Sequence, residues 1–228
     1  MSDTDEPTAL TEPDITGQGA DAPERKRPKP GERRTQILQT LGAMLEQPGA
    51  ERITTAALAA RLDVSEAALY RHFASKAQMF EALIEFIEHA VFSLVNQIAE
   101  REVANGPDDL LAGRRQAARM VDVLVQFAEK NPGLVRVMVG DALVFEHARL
   151  QSRINQFFDR LESSLKHSLF ELAQAQGLAT PTVDAQVRAS ALTAFVVGRL
   201  QRFARSGFKR LPSEHLDACL TLILNPSH

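Results

Sequence analysis

The stretch RITTAALAARLDVSEAALYRHFASK, Arg52–Lys76, encodes two short helices joined by a tight turn. Thr54 stands where its hydroxyl can accept a hydrogen bond from an orphan amide of a first helical turn. Leu58 and Leu62, four apart, share one face, and Ala59 is small enough for a second helix to cross closely. Asp63 interrupts the pattern, Val64 supplies the apolar residue of the turn, and Ser65 caps the next helix. There Leu69 and Phe73 fall on a core-facing side, whereas Ala67, Ala68, Tyr70 and Arg71 fall on the opposite one. Ser75-x-x-Gln78 then has the form of a capping box opening a third helix. The pattern is a helix-turn-helix whose second helix is free to enter a DNA major groove.

Composition agrees with an all-α chain. Of 228 residues 44% are apolar, enough for a sizeable core, and leucine and alanine recur at helical rather than alternating spacing. The formal charge of −3 hides an asymmetry. Met1–Glu24 holds seven acids and no base, while Arg25–Lys76 holds ten bases against five acids. Positive charge therefore sits where phosphates would be met. One cysteine, Cys219, excludes an internal disulfide, and its apolar surroundings predict a buried thiol. The N-terminus lacks an apolar signal core, and no run is read as long enough to span a bilayer, so a cytoplasmic protein is expected.

Residues 1–30 hold five of the eleven prolines and few large apolar side chains, which predicts a disordered tail. Its basic end, Arg25–Lys29, has the makeup of a minor-groove arm or of a solvated tether. A helix-turn-helix domain follows over 31–78 and a helical dimerisation and partner-binding domain over 79–228. The first helix, Glu32 to about Glu46, buries Ile37, Leu38, Leu41, Met44 and Leu45 and stops at Pro48-Gly49. Later helices are expected over about Lys76–Arg101, Asp109–Lys130, Leu134–Phe145, His147–Gln176 and Val183–Ser206, with the last opening at Pro212 and ending near Leu224. Within the eighth, Val187, Ala191, Ala194, Phe195 and Gly198 form a stripe of small and apolar residues. Leu192, Val196, Leu200 and Phe203 fill another face. So wide an apolar circumference needs more cover than one neighbour gives. Pairing this helix and the Leu216–Leu220 stripe of the last with their symmetry mates would make a homodimer with a four-helix bundle.

The LYRHFASK ending, set between a basic first helix and an all-helical remainder, resembles the TetR family of dimeric DNA-binding proteins over roughly residues 32–80. One departure is Asp63, at a turn position the family usually fills with glycine; it predicts local strain within the same fold. The candidate DNA contacts are Arg33, Arg34, Thr54, Ser65, Ala67, Ala68, Tyr70, Arg71, His72 and Lys76. Thr54 presents a hydroxyl and an amide to a phosphate. The resemblance adds Tyr70, His72 and Lys76 as further phosphate contacts, with packing on the first helix as the other reading of Tyr70 and His72. Arg71, the long polar side chain of the outward face, is the candidate for reading guanine, and Ala67 and Ala68 permit close approach.

Three functions compete for such a chain: a ligand-responsive repressor, a DNA-bound protein with a protein partner, and an enzyme. No nucleophile elbow, phosphate-binding glycine loop or paired His/Cys spacing is present, and His89, His147, His167 and His215 are scattered, so neither catalysis nor a metal or other cofactor is expected. The stretches EALIEFIEHAVFSLVNQI, EKNPGLVRVMVGDALVFEHARLQSRINQFFDRLE and LQRFARSGFKRLP are similar to a branch of the TetR family that couples DNA to division. Its members bind chromosomal sites and antagonise polymerisation of FtsZ, the tubulin-like division GTPase. That resemblance implies FtsZ as partner, a place on the nucleoid, no need for a small-molecule ligand, and docking at Phe86, Lys130 and Asn131. Read by periodicity alone, Phe86 is core and Asn131 a helix cap before Pro132.

Overall fold

Two side-chain caps start the motif. In the computed structural model, which describes residues 31–48, 52–103 and 111–225, helix α1 spans Glu32–Leu45, α2 Thr55–Arg61 and α3 Glu66–Tyr70. Thr54 Oγ1 accepts from the Ala57 amide at 3.1 Å and Ser65 Oγ from the Ala68 amide at 3.3 Å, as their positions predict. Asp63 adopts φ 54°. With the amides of Asp63 and Val64 donating to Ala60 O and Ala59 O, it closes α2 as a left-handed cap normally given to glycine. Leu58, Ala59, Leu69 and Phe73 are buried with Ile37, Leu41 and Leu45 of α1.

The rest is helical: α4 Lys76–Val103, α5 Ala112–Lys130, α6 Pro132–Met138, a 3-10 turn at Asp141–Leu143, α7 Ala148–Ala175, α8 Pro181–Arg205 and α9 Leu216–Leu224. Ser75 Oγ accepts from the Gln78 amide, and Gln78 Oε1 reaches the Ala74 amide, one residue short of the reciprocal capping-box bond. Helix α6 stops earlier than its apolar pattern suggests, because Gly140 takes φ 83° and turns the chain into the 3-10 segment. Pro181 occupies the first turn of α8, two residues before the expected start. Pro212 does not open the last helix; α9 begins after His215, itself at φ 56°. The expected tail, with its basic arm, lies outside the described residues.

Helix α4 is long and apolar enough over Lys76–Arg101 to cross a bilayer, which corrects the expectation that no run reaches that length. Its apolar side is spent inside the protein, where Met79, Phe80, Ile84, Ile87 and Val91 are fully buried, while Glu85 is exposed and Glu81 and Glu88 are half-buried. Helices α5, α7 and α8 supply the main core. Val121 and Leu124, Leu161 and Leu165, Leu192 and Val196 are all fully buried. A Cβ at Gly113 would lie 2.1 Å from Ser168 O, so α5 and α7 touch backbone to backbone there. Gly133 of α6 packs as closely on α1, its missing Cβ 2.1 Å from Gly42 O.

Candidate DNA-binding and partner-binding surfaces

The outward side of α3 is small and clear. Ala67 is exposed, Ala68 half-buried and Tyr70 46% exposed. Glu66, the acid of α3, is tied to α2: Thr55 Oγ1 donates to its carboxylate at 2.6 Å, and the Tyr70 hydroxyl donates to Thr55 Oγ1 at 3.4 Å. Arg71 is exposed but caps α3 rather than standing mid-helix, because α3 is only five residues long.

The expected phosphate contacts divide into two groups. Thr54 and His72 are exposed, with the Thr54 hydroxyl already engaged as a cap. Arg34 is spent within the protein: its Nη1 donates to His72 O at 3.1 Å and its guanidinium lies 4.2 Å from the Phe73 ring centre, clasping α1 to the end of α3. Arg33 Nη1 donates to Gln36 Oε1. Lys76 Nζ meets Glu146 Oε1 at 2.5 Å. The Glu146 side chain is only 10% exposed. Sequence reading missed this partner, which no local pattern links to Lys76.

A second surface is a cleft of about 410 Å³ where α1, α4 and the α5–α6 junction meet, lined by Leu38, Gly42, Leu83, Phe86, Lys130 and Asn131. Phe86 is 52% exposed, so it is not core, and its ring lies 6.3 Å from that of Phe127. Asn131 does cap α5, its Nδ2 donating to Phe127 O at 2.8 Å, and it lines the cleft as well. The α1 wall was not foreseen. Its signal was Gly133, directly after Pro132, whose missing Cβ lets α6 sit against the Gly42 carbonyl of α1. On another face of α4, Arg153 forks onto Glu88 at 2.6 and 3.1 Å and Arg149 meets Glu81 at 2.7 Å, tying α7 to α4. The hydrogen bond to Glu88 favours the charged guanidinium of Arg153.

The apolar surface for assembly also differs in part from expectation. On α8, Val187 is 63% exposed, Ala191 and Ala194 are exposed, Phe195 and Gly198 half-buried, while Leu192, Val196, Leu200 and Phe203 face the chain's own core. Leu216 and Leu220 are buried within the chain at 5% and 4% exposure. They are therefore not the outer stripe of α9. Its outward apolar residue is Leu222, at 79% exposure. Cys219 is half-buried rather than buried, with Arg199 Nη2 at 3.1 Å from its sulfur. His147 caps α7 and His167 faces Glu171 one turn on. Among the described residues no cluster of His, Cys, Asp and Glu has the makeup of a metal site.

Residues 37–83 match the model of bacterial regulatory proteins of the tetR family, and residues 115–226 that of the SlmA-like, tetracyclin repressor-like C-terminal domain. The nucleoid occlusion factor SlmA of Aliivibrio fischeri strain MJ11 is 48% identical over 197 residues, covering 86% of this chain and 96% of that protein. The chain belongs to the SlmA family, within the TetR family. The SlmA protein of Photobacterium profundum is 50% identical over 186 residues, covering 81% and 90% of the two chains. The TetR-family regulator PfmR of Thermus thermophilus shares the fold, with a TM-score of 0.65 at 21% identity over 82% of this chain and 96% of that one. Membership of the SlmA family makes the chain a DNA-binding protein and not an enzyme.

Proposed function

We propose that this SlmA-family chain acts as a homodimer that binds chromosomal sites through α3, docks FtsZ in the α1–α4–α5 cleft, and disrupts FtsZ polymers over the nucleoid. The relatives named nucleoid occlusion factors support the role. The observation that carries the docking site is Phe86, a large apolar side chain left half in solvent beside Lys130 and Asn131. Such a ring on a cleft wall suits a short peptide segment. Thr54, Ser65 and His72 flank the Ala67–Arg71 surface and Arg33 its edge; they and Lys76, once released from Glu146, are the proposed backbone contacts. Val187, Ala191, Ala194, Phe195 and Gly198 are the proposed dimer face. The fully buried side chains between α5, α7 and α8 favour a protein partner over the ligand-responsive repressor considered from sequence.

Sedimentation of FtsZ with GTP tests the proposal. The protein should lower pelleted polymer, more so with its DNA site present, and Phe86→Ala should abolish the effect while leaving DNA affinity intact. Undiminished polymer with the native chain and its DNA would overturn it.

A further inference from the structure

From Ala185 to Ser213 the sequence carries six bases and no acid, in a chain of net charge −3. Arg202, Lys209 and Arg210 line one open cleft of about 800 Å³ at the bend between α8 and α9, with Arg199, Glu214 and His215. Arg199 is committed to the bend itself: its Nη1 donates to the carbonyls of Pro212 and Glu214. Arg202, Lys209 and Arg210 are exposed.

The bend is built rigidly. The amides of Gly207 and Phe208 donate to Ala204 O and Phe203 O, closing α8 with left-handed residues at φ 63° and 64°. The rings of Phe203 and Phe208 meet edge to face at 5.2 Å, the apolar contact that accompanies such a cap. Ser206 Oγ then accepts from the amides of both Lys209 and Arg210, at 3.1 and 2.9 Å. The backbone that carries two adjacent cations is thus held on a fixed turn, and the planar donor fork of a guanidinium suits phosphate.

The location selects the polyanion. The Ser213 amide donates to Glu129 near the end of α5, and Arg136 of α6 lies 5.2 Å from the Phe208 ring centre. Helix α6 is the element packed on α1 through Gly133 and Gly42. The bend therefore occupies the end of the helical domain nearest the helix-turn-helix. Along α8, Arg202 continues the Ala191–Ala194–Gly198 stripe by one turn, so pairing across that stripe sets the two bends beside the two-fold axis.

We infer that the α8–α9 bend is a second phosphate-binding surface, in which Arg202, Lys209 and Arg210 of both subunits contact the backbone of the same duplex between the half-sites. The inference rests on the two-fold pairing proposed above. It assigns these residues to affinity, not to sequence reading, because phosphates carry no base identity.

The test uses the full chain carrying R202A, K209A and R210A, and a second version with R202K and R210K. Light scattering first confirms that both remain dimers, which separates failure of the pairing from failure of the inference. Neutralising six cations per dimer should flatten the log–log salt dependence of DNA binding by up to about 5 and lower affinity on the order of tenfold or more, while the lysine version keeps most of both. Methylphosphonates replacing the central phosphates should weaken the native dimer and leave the alanine version unaffected. An unchanged salt slope in the alanine version would overturn the inference. So would unchanged DNA binding with lost action on FtsZ, which would assign the bend to an acidic protein segment.

Discussion

Arg71 closes α3 as the long polar side chain of its outward face, between the small Ala67 and Ala68 and the exposed His72. Arg71→Ala should cost roughly 1–3 kcal/mol of site affinity and relax preference at one base pair per half-site, checked by competition among single-position site variants. Asp122 offers a pH test. Burial first, then the Asp217 carboxylate, push its pKa up from the ordinary aspartate value. The folded protein thus favours the protonated acid; that contribution is complete in acid and is lost as pH rises through the folded-state value. Asp122→Asn keeps an oxygen for the Gln126 amide that now donates to it at 2.7 Å. It should melt higher than the native protein at neutral pH, and the difference should vanish as pH falls below about 4. The caps at Thr54 and Ser65 and the left-handed Asp63 were legible, because each depends on neighbours within a few residues. The clasp of Arg34 on Phe73 and the Glu146 partner of Lys76 were not, since they join segments far apart in sequence.

At the scale of elements, the Lys76–Glu146 pair links the first turn of α4 to the segment between the 3-10 turn and α7. The lysine proposed to meet a phosphate is held by a nearly buried carboxylate, so on that proposal DNA and Glu146 would compete for one cation. Glu146→Gln should tighten DNA binding severalfold and steepen the salt slope by about 0.9 for each subunit, measured by anisotropy titration at several ionic strengths. Equal affinity would show that Lys76 stays with residue 146 in the complex. Helix existence was readable from apolar spacing throughout, but ends were not. Apolar residues Leu143, Val144 and Phe145 extend the pattern of α6 past Gly140, whose left-handed backbone stops the helix regardless. For the cleft, sequence supplied Phe86 and Lys130 by resemblance; the α1 wall depended on the missing Cβ of Gly133 against the Gly42 carbonyl, and periodicity does not register a missing side chain.

For the whole molecule, the apolar stripe of α8 is one feature that a single chain leaves uncovered. Val187→Glu with Ala194→Glu places charges on that stripe without touching the intrachain core of Leu192, Val196 and Leu200. Light scattering should report a monomer with unchanged helicity, and affinity for a two-half-site duplex should fall about 100-fold or more as the second contact ceases to be intramolecular. The missing Cβ of Gly133 against the Gly42 carbonyl has a consequence for operator choice. With α1 seated directly on α6, each reading head of the proposed dimer would lack a swivel, and its phase relative to its twin would be fixed by the body of the pair. A spacer longer by one base pair rotates one half-site by about 35°. In the proposed dimer that mismatch would fall on the torsional compliance of the duplex, so the tolerated sites would be those whose central steps unwind most readily.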